Sequence, residues 1–222
     1  MLNLIIKDIL IQKKILLYSL FYAIFAPIVF SSMKPSGFGL YVFPSIAITY
    51  MLISMAASYD EKNKSEIILN SLPIKRTAIV ISKYISIFVF AIIGIIFSIL
   101  VSFIGKTTAL PMFTRSISLL DIVSILTSVC ILGSIFFPVY FKFGFIKMNI
   151  FNVIIIMLIM LLPSIAFDYA TESPNNILVK KFTYFINNTS SLTQNSLALI
   201  TGLIFLMISL MISIHIYENK EF

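Results

Sequence analysis

Three places in the chain carry residue types that do chemistry in other proteins. Gly105-Lys106-Thr107 matches the end of a phosphate-binding loop, but that motif needs a glycine five residues earlier, where this sequence has Leu100 in an apolar run. His215 is the sole histidine and has only Glu218 near it, whereas metal binding or histidine catalysis needs several partners. Cys130, the sole cysteine, lies in an apolar run, which excludes an internal disulfide and favours packing. We therefore expect no catalytic residue, no metal site and no ATP site in this chain.

The elements that would have to position such residues are predicted to be membrane helices. Of the 222 residues, 59% are hydrophobic and 11% are charged, against about 45–50% and about 25% in a soluble domain. This composition excludes an ordinary cytosolic enzyme, a secreted disulfide scaffold and a disordered chain. Long continuous apolar runs separate clusters of charge, which favours helices over transmembrane strands, in which apolar and polar residues would alternate.

The pattern predicts an all-α polytopic membrane protein in which residues 1–222 form a single transmembrane domain. Its six helices would cover about residues 15–33, 38–59, 84–105, 118–141, 148–167 and 195–217. Residues 1–14 form an amphipathic pattern, which predicts a helix in the membrane interface with its apolar side toward the acyl chains. Residues 60–83 would be a cytoplasmic loop, and residues 168–194 an extracellular segment that could cap the outer mouth of a pathway.

The orientation follows from the basic residues. With the N-terminus inside, 11 of the 16 lysines and arginines lie on the inner side, which predicts that both termini are cytoplasmic. The net charge of +7 then reflects topology and contact with membrane lipid, and no nucleic-acid partner is expected. Tyr84, Tyr140 and Tyr217 fall at predicted inner ends, where tyrosine suits the interface. The bias toward isoleucine, lysine, asparagine and phenylalanine indicates an AT-rich genome, and we expect a bacterial plasma membrane.

The predicted span interiors contain no aspartate, glutamate, lysine or arginine. Ion-coupled carriers usually place ionisable groups there, and an intramembrane enzyme would need a paired acid and base at that depth. The sequence therefore argues against a gradient-driven carrier, a channel or an enzyme. If the chain transports, we expect a cytosolic partner to supply the energy and the substrate to be amphipathic or lipid-like.

The predicted cytoplasmic loop reads DEKNKSEIILNSLPIKRTAIVISK over residues 60–83. Ser58 with Glu61 could form a capping box, or Asp60 could be the cap, and Pro73 would end the helix that follows. A short helix between two spans can present a rigid knob to a cytosolic partner. The alternative is a solvated loop whose lysines fix the topology. The apolar side of the helix would consist of Ile67, Ile68 and Leu72.

At this loop the sequence resembles the ABC-2 type permease family, the membrane subunits of ATP-driven exporters. The matching pattern is Asp60-Glu61-Lys62, then Leu69-Asn70-Ser71-Leu72-Pro73-Ile74, then Arg76, then Lys83-Tyr84. The layout of the whole chain is also similar to that family, which is also called the type V exporters. The resemblance implies two such subunits, identical or different, and two separate cytosolic ABC ATPase subunits. These partners would bind ATP, so the chain itself would hold no cofactor.

Carried over to this sequence, the resemblance makes residues 61–69 the coupling helix that docks into the ATPase. It implies ATP-driven export of an amphipathic substrate, such as a peptide, a lipid-like molecule or a drug, similar to phenol-soluble modulin or antimicrobial peptide exporters. The alternative is a membrane scaffold, sensor or immunity protein, which would need no ATPase. The docking residues would be Glu61, Lys62, Asn63, Lys64, Ser65, Glu66, Ile67, Ile68 and Leu69.

Overall fold

A computed structural model describes residues 2–32, 39–107, 116–172 and 188–220. Within these ranges the chain forms helices and no strand, which confirms the all-α prediction there. The helices are α1 (Leu2–Ile11), α2 (Lys13–Ser32), α3 (Gly39–Lys62), α4 (Ser65–Ser71), α5 (Arg76–Thr107), α6 (Leu119–Glu172) and α7 (Ser191–Glu218).

Four helices of the described part are long and apolar enough to cross a membrane. α1 and α2 meet at a bend of 67° and would add a fifth crossing if they form one broken span. The sixth predicted span, at 148–167, stays a prediction. Most of its side chains, although part of α6, are outside the described residues. Most of the predicted extracellular segment, from 173 to 187, also lies outside them. The four candidate spans are Tyr41–Lys62, Arg76–Lys106, Leu119–Met148 and Ser191–Glu218.

α6 is too long to be a single straight span. Its 54 residues would extend about 80 Å, whereas the hydrocarbon core of a bilayer is about 30 Å thick. Gly144 interrupts it with φ 78 and ψ 174, a backbone conformation that is essentially restricted to glycine. The break falls between the predicted spans 118–141 and 148–167, so the helix divides where the sequence places a short polar connection.

Several helices extend beyond the predicted spans. α5 begins at Arg76 rather than at residue 84, and α3 continues to Lys62 rather than ending at residue 59. The predicted ends were set by the last charged residue before an apolar run. Charge marks where a helix can leave the hydrocarbon, but lysine and arginine are good helix formers and do not end the hydrogen-bonded ladder.

α3 and α5 cross at close range through small residues. A methyl group added to Gly94 would lie 2.8 Å from Thr49 Oγ1 and 2.9 Å from the carbonyl oxygen of Ser45. Beside this contact, the hydroxyl groups of Ser45 and Ser98 are 2.6 Å apart and hydrogen-bonded. Close backbone approach and buried serine pairs are the usual means by which membrane helices associate without a hydrophobic driving force.

The tyrosines assigned to the membrane interface lie inside the bundle instead. Tyr84, Tyr140 and Tyr217 are all buried. The Tyr84 hydroxyl is hydrogen-bonded to Ser209 and Ser213 of α7, at 2.6 and 2.8 Å. The three rings are buried in the bundle, and the hydroxyls of Tyr84 and Tyr217 are hydrogen-bonded to protein groups. The sequence located these residues along the chain but not on the correct helix face.

α1 is amphipathic, as predicted. Its Leu2, Ile6 and Leu10 are exposed and available to acyl chains. Its polar side, with Asp8 and Gln12, is buried against the bundle instead of facing water. α1, α4 and the last turn of α7 lie at one end of the bundle, which we call the α4 end.

Candidate functional site

The segment predicted to be the coupling helix begins later than the sequence indicates. Glu61 and Lys62 complete the last turn of α3, and the helix that follows is Ser65–Ser71. Between them the chain turns at Lys64, whose backbone is left-handed with φ 49, and no side chain caps α4 there. Neither predicted cap is used, because α3 continues through Asp60 and keeps its backbone donors occupied.

The predicted docking residues divide into an outer and an inner set. Ile67 and Ile68 are 59% and 58% exposed, and Leu72 just beyond α4 is 46% exposed. We call these three residues the α4 apolar patch. On the other side of the helix, Leu69 packs against the hydrophobic core. Lys62, Asn63 and Lys64 are exposed, whereas Glu61, Ser65 and Glu66 are half-buried.

α4 is held by the C-terminal end of α7. The Asn70 amide donates to the Tyr217 hydroxyl at 3.1 Å. Lys220 Nζ lies 2.8 Å from Glu66 Oε2. The Arg76 guanidinium, at the start of α5, donates to the carbonyl oxygens of Glu218 and Lys220 at 2.8 and 3.1 Å. Glu66 and Asn70 are four residues apart and therefore share one face of α4, so a displacement of α4 would be transmitted to the end of α7 through these polar contacts.

Glu61 connects α3 to the break in α6. Its carboxylate accepts a hydrogen bond from the backbone N–H of Phe145, the residue that follows Gly144. That N–H starts the second half of α6, where the helix dipole favours a negative charge. The Glu61 carboxylate is therefore engaged inside the chain, and the docking role of Glu61 stays a prediction.

A buried ionic cluster lies directly behind α4. Lys83 Nζ contacts both carboxylate oxygens of Asp8, at 2.9 and 2.7 Å, and also pairs with Asp60. Lys7 approaches Asp60 Oδ1 at 2.8 Å. Lys83, Asp8 and Asp60 are 7%, 4% and 3% exposed, so the contacts are shielded from solvent. The cluster of Lys7, Asp8, Asp60 and Lys83 joins α1, α3 and α5 at one point.

Sequence reasoning missed this cluster. Lys83 was assigned to the loop, and Asp8 was assigned to the polar side of a helix at the membrane surface. The sequence does contain one signal for the cluster, which is that both charged residues adjoin apolar residues. Lys83 directly precedes an apolar run, and Asp8 lies among the apolar residues of α1. Charged groups in such positions are rare and usually paired.

A cavity of about 450 Å³ opens between α4, the end of α3 and the break in α6. Its volume is larger than that of a second open cavity among the described residues, which lies along α7. Carboxylates, lysines, aromatic rings and one isoleucine share its walls, so it can contact both charged and apolar groups. Its lining is Asp60, Glu61, Lys64, Glu66, Ile67, Tyr140, Lys142, Phe143, Gly144 and Lys220.

Within the described ranges, no group of three or more metal-binding side chains could hold a metal ion. Cys130 is buried, and the His215 ring lies near the Asn219 amide. The α4 end thus combines the exposed α4 apolar patch with polar contacts that join α4 to the end of α7.

Comparison with known proteins gives one match. Neither the curated proteins nor the solved structures contain a significant relative of this chain. A family model described as "ABC-2 family transporter protein" matches residues 3–218, nearly the whole sequence. The match includes every described helix except for the first residue of α1, and it agrees with the resemblance found in the loop at 60–83. The family model covers nearly the whole sequence, and the membrane-length helices and the exposed α4 agree with it. The chain therefore belongs to the ABC-2 family of transporter proteins.

Proposed function

We propose that this chain is the permease subunit of an ATP-driven exporter and that a separate cytosolic ATPase docks on α4. The observation that carries the proposal is the α4 apolar patch. Ile67 and Ile68 point away from the bundle on a helix whose other side is fastened to it. Exposed isoleucines on a short, tethered helix are suited to fill a groove on a partner.

The contacts of α4 support a path for mechanical work. Pressure on α4 would reach α7 through Asn70 and Glu66, and would reach α6 through Glu61 at the adjoining end of α3. In a dimer of such subunits, identical or not, this movement would open the interface between bundles. The substrate would be an amphipathic peptide, a lipid-like molecule or a drug, leaving a bacterial cell across its plasma membrane.

The orientation in this proposal places α4 and both termini in the cytoplasm. α1 contacts the end of α3 and the start of α5, and α4 contacts the end of α7, so one orientation accounts for all three. The distribution of lysine and arginine along the sequence supports the same choice. ATP would be bound by the partner, and this chain would carry no nucleotide.

The test is the double substitution Ile67→Ser and Ile68→Ser. We expect the ATPase that associates with the purified chain to bind about tenfold more weakly or worse, because two anchors lose their apolar contact. Binding is measured with the chain in lipid nanodiscs, together with stimulation of ATP hydrolysis. Ile6→Ser with Leu10→Ser is the matched control, since both residues are exposed on α1 at the same end. Equal losses in the two variants, or a wild-type chain that binds no ATPase, would overturn the proposal.

A further inference from the structure

The cavity beside α4 contains two lysines whose charges the protein does not neutralise. Lys64 and Lys142 line it and are exposed. The ammonium group of neither lysine forms an ion pair or hydrogen bond with another described residue. Lys142 lies over the ring of Phe143, with its Nζ 5.2 Å from the ring centroid, which orients the ammonium group without cancelling its charge.

The three carboxylates of the same cavity are each engaged. Asp60 is held by Lys7 and Lys83, which are not among the lining residues. Glu66 is paired with Lys220. Glu61 accepts the backbone N–H of Phe145 at the start of a helical segment. An incoming group therefore meets two available cations and carboxylates that are already satisfied, which favours an anion.

The cavity adjoins the α4 apolar patch. Ile67 belongs to both, so a surface that covers α4 also reaches the cavity mouth. We propose that the cavity receives an acidic side chain of the ATPase partner, an aspartate or glutamate held between Lys64 and Lys142. This inference rests on the docking role proposed for α4 and adds a polar contact to it. The α4 apolar patch would supply the apolar contact, and the lysine pair would fix the position of the ATPase along α4.

The lysine pair also has a structural reason to be where it is. The backbone of Lys64 has φ 49, in the left-handed region that residues other than glycine and asparagine seldom adopt. That backbone places Lys64 in the turn between α3 and α4, beside the cavity. Lys142 comes two residues before the Gly144 break, on the part of the wall that α6 forms. A carboxylate between them would touch the turn before α4 and the break in α6 together.

The direct test is zero-length cross-linking. A carbodiimide joins an amine to a carboxylate only when the two are in contact, and mass spectrometry identifies the linked peptides. With the purified ATPase bound to the full chain, we expect Lys64 or Lys142 to be linked to an aspartate or glutamate of the ATPase. Links at other lysines, with none at this pair, would overturn the inference.

The quantitative test is the double substitution Lys64→Gln and Lys142→Gln. We expect about 3- to 30-fold weaker ATPase binding at low salt and a smaller dependence of binding on salt. Lys13→Gln with Lys14→Gln is the matched control, because both lysines are exposed and lie away from the cavity. If the isoleucine variant loses binding while this variant keeps it, the docking role stands and the lysine pair is excluded.

The competing occupant is an anionic lipid headgroup. The binding assay is therefore run in nanodiscs of phosphatidylcholine alone and in nanodiscs with added phosphatidylglycerol. A loss of ATPase binding of the same size in both membranes supports the partner carboxylate. A loss confined to the membrane with phosphatidylglycerol would assign the lysines to lipid and overturn the inference.

Discussion

Lys83 shows how a single side chain can organise one end of a membrane protein. Its ammonium group lies between the carboxylates of Asp8 and Asp60, so residues from three helices share one buried charge. The desolvation of these groups is costly, and their mutual attraction offsets it only while all partners are present. The intact cluster therefore adds less to the free energy of unfolding than is lost when one of its members is removed.

We expect Lys83→Met to destabilise the chain by about 3–5 kcal/mol, because two buried carboxylates would keep only Lys7 as a cation. The measurement is the thermal unfolding of the purified protein in detergent. Lys13→Met, at an exposed lysine, is the control and should change the unfolding temperature little.

Adding Asp8→Asn to Lys83→Met should recover part of this loss, because one unpaired charge is removed along with its partner. A Lys83→Met protein as stable as the Lys13→Met control would contradict the ion pairs described here.

At the scale of the element, α4 and α6 each depend on a residue at their boundary. α4 has seven residues, well below the roughly 12–15 that an isolated helix needs in water, so its stability comes from its contacts with α7. α6 depends on Gly144, where the chain leaves helical geometry and resumes it one residue later.

We expect Gly144→Ala to destabilise the protein by about 1–3 kcal/mol, because the backbone conformation excludes a side chain without strain. The added carbon would also lie 3.1 Å from Glu61 Oε2, the carboxylate that holds the break. Thermal unfolding again gives the measurement. The prediction includes a loss of ATPase stimulation, since the path from α3 to α6 passes through this contact.

Gly202→Ala is the matched control. Gly202 is helical, and its added carbon would meet its nearest atom, the Thr127 carbonyl oxygen, at 3.4 Å, which is an ordinary contact. Alanine also favours a helix over glycine by about 1 kcal/mol. If both variants behave alike, the strain assigned to Gly144 is absent.

Hydropathy was sufficient to predict most of these elements. Continuous apolar runs indicated α2, α3, α5, α6 and α7, and the three- to four-residue spacing of apolar residues indicated α1. Pro73 and the residues before it indicated α4. The pattern placed Ile67 and Ile68 on the apolar side of this helix, and the structure adds that both side chains are exposed. These features depend on local composition, which a single sequence contains.

The contacts between elements could not be predicted in the same way. Asp8 and Lys83 are 75 residues apart, and Asn70 and Tyr217 are 147 apart. Nothing in the local pattern of either pair indicates its partner. The face on which Tyr84 lies depends on how α5 packs against α7, and in a continuously apolar helix every face has a similar composition. Helix periodicity therefore gave no signal for it.

At the scale of the whole molecule, the contacts constrain the arrangement in the membrane. α1, α4 and the end of α7 lie together, so the N-terminal and C-terminal helices begin and end on one side. The end of α5 and the start of α6 are then at the far end of the bundle, because α5 leaves the α4 end at Arg76. The distribution of lysine and arginine supports our proposal that the α4 end faces the cytoplasm.

We expect single cysteines to report this orientation in a Cys130→Ser background. Ser116→Cys, before α6, should react with a membrane-impermeant maleimide on intact cells. Lys62→Cys, at the end of α3, should react only after the cells are permeabilised. Both positions are exposed, so labelling depends on the side of the membrane rather than on burial. The opposite labelling pattern would invert the topology and remove the basis for a cytosolic ATPase at α4.

The ionic cluster also sets an order of assembly during synthesis. Asp8 is made before Lys83 by 75 residues, which a ribosome takes about 4–15 s to add. Until α5 emerges and inserts, Asp8 has no access to its buried partner and must remain hydrated. α1 would therefore wait at the membrane surface with its apolar side toward the lipid, and dock only once Lys83 has arrived. α1 is therefore made before α5 but settles after it, so a nascent chain halted before residue 83 would leave α1 accessible to proteases and chaperones.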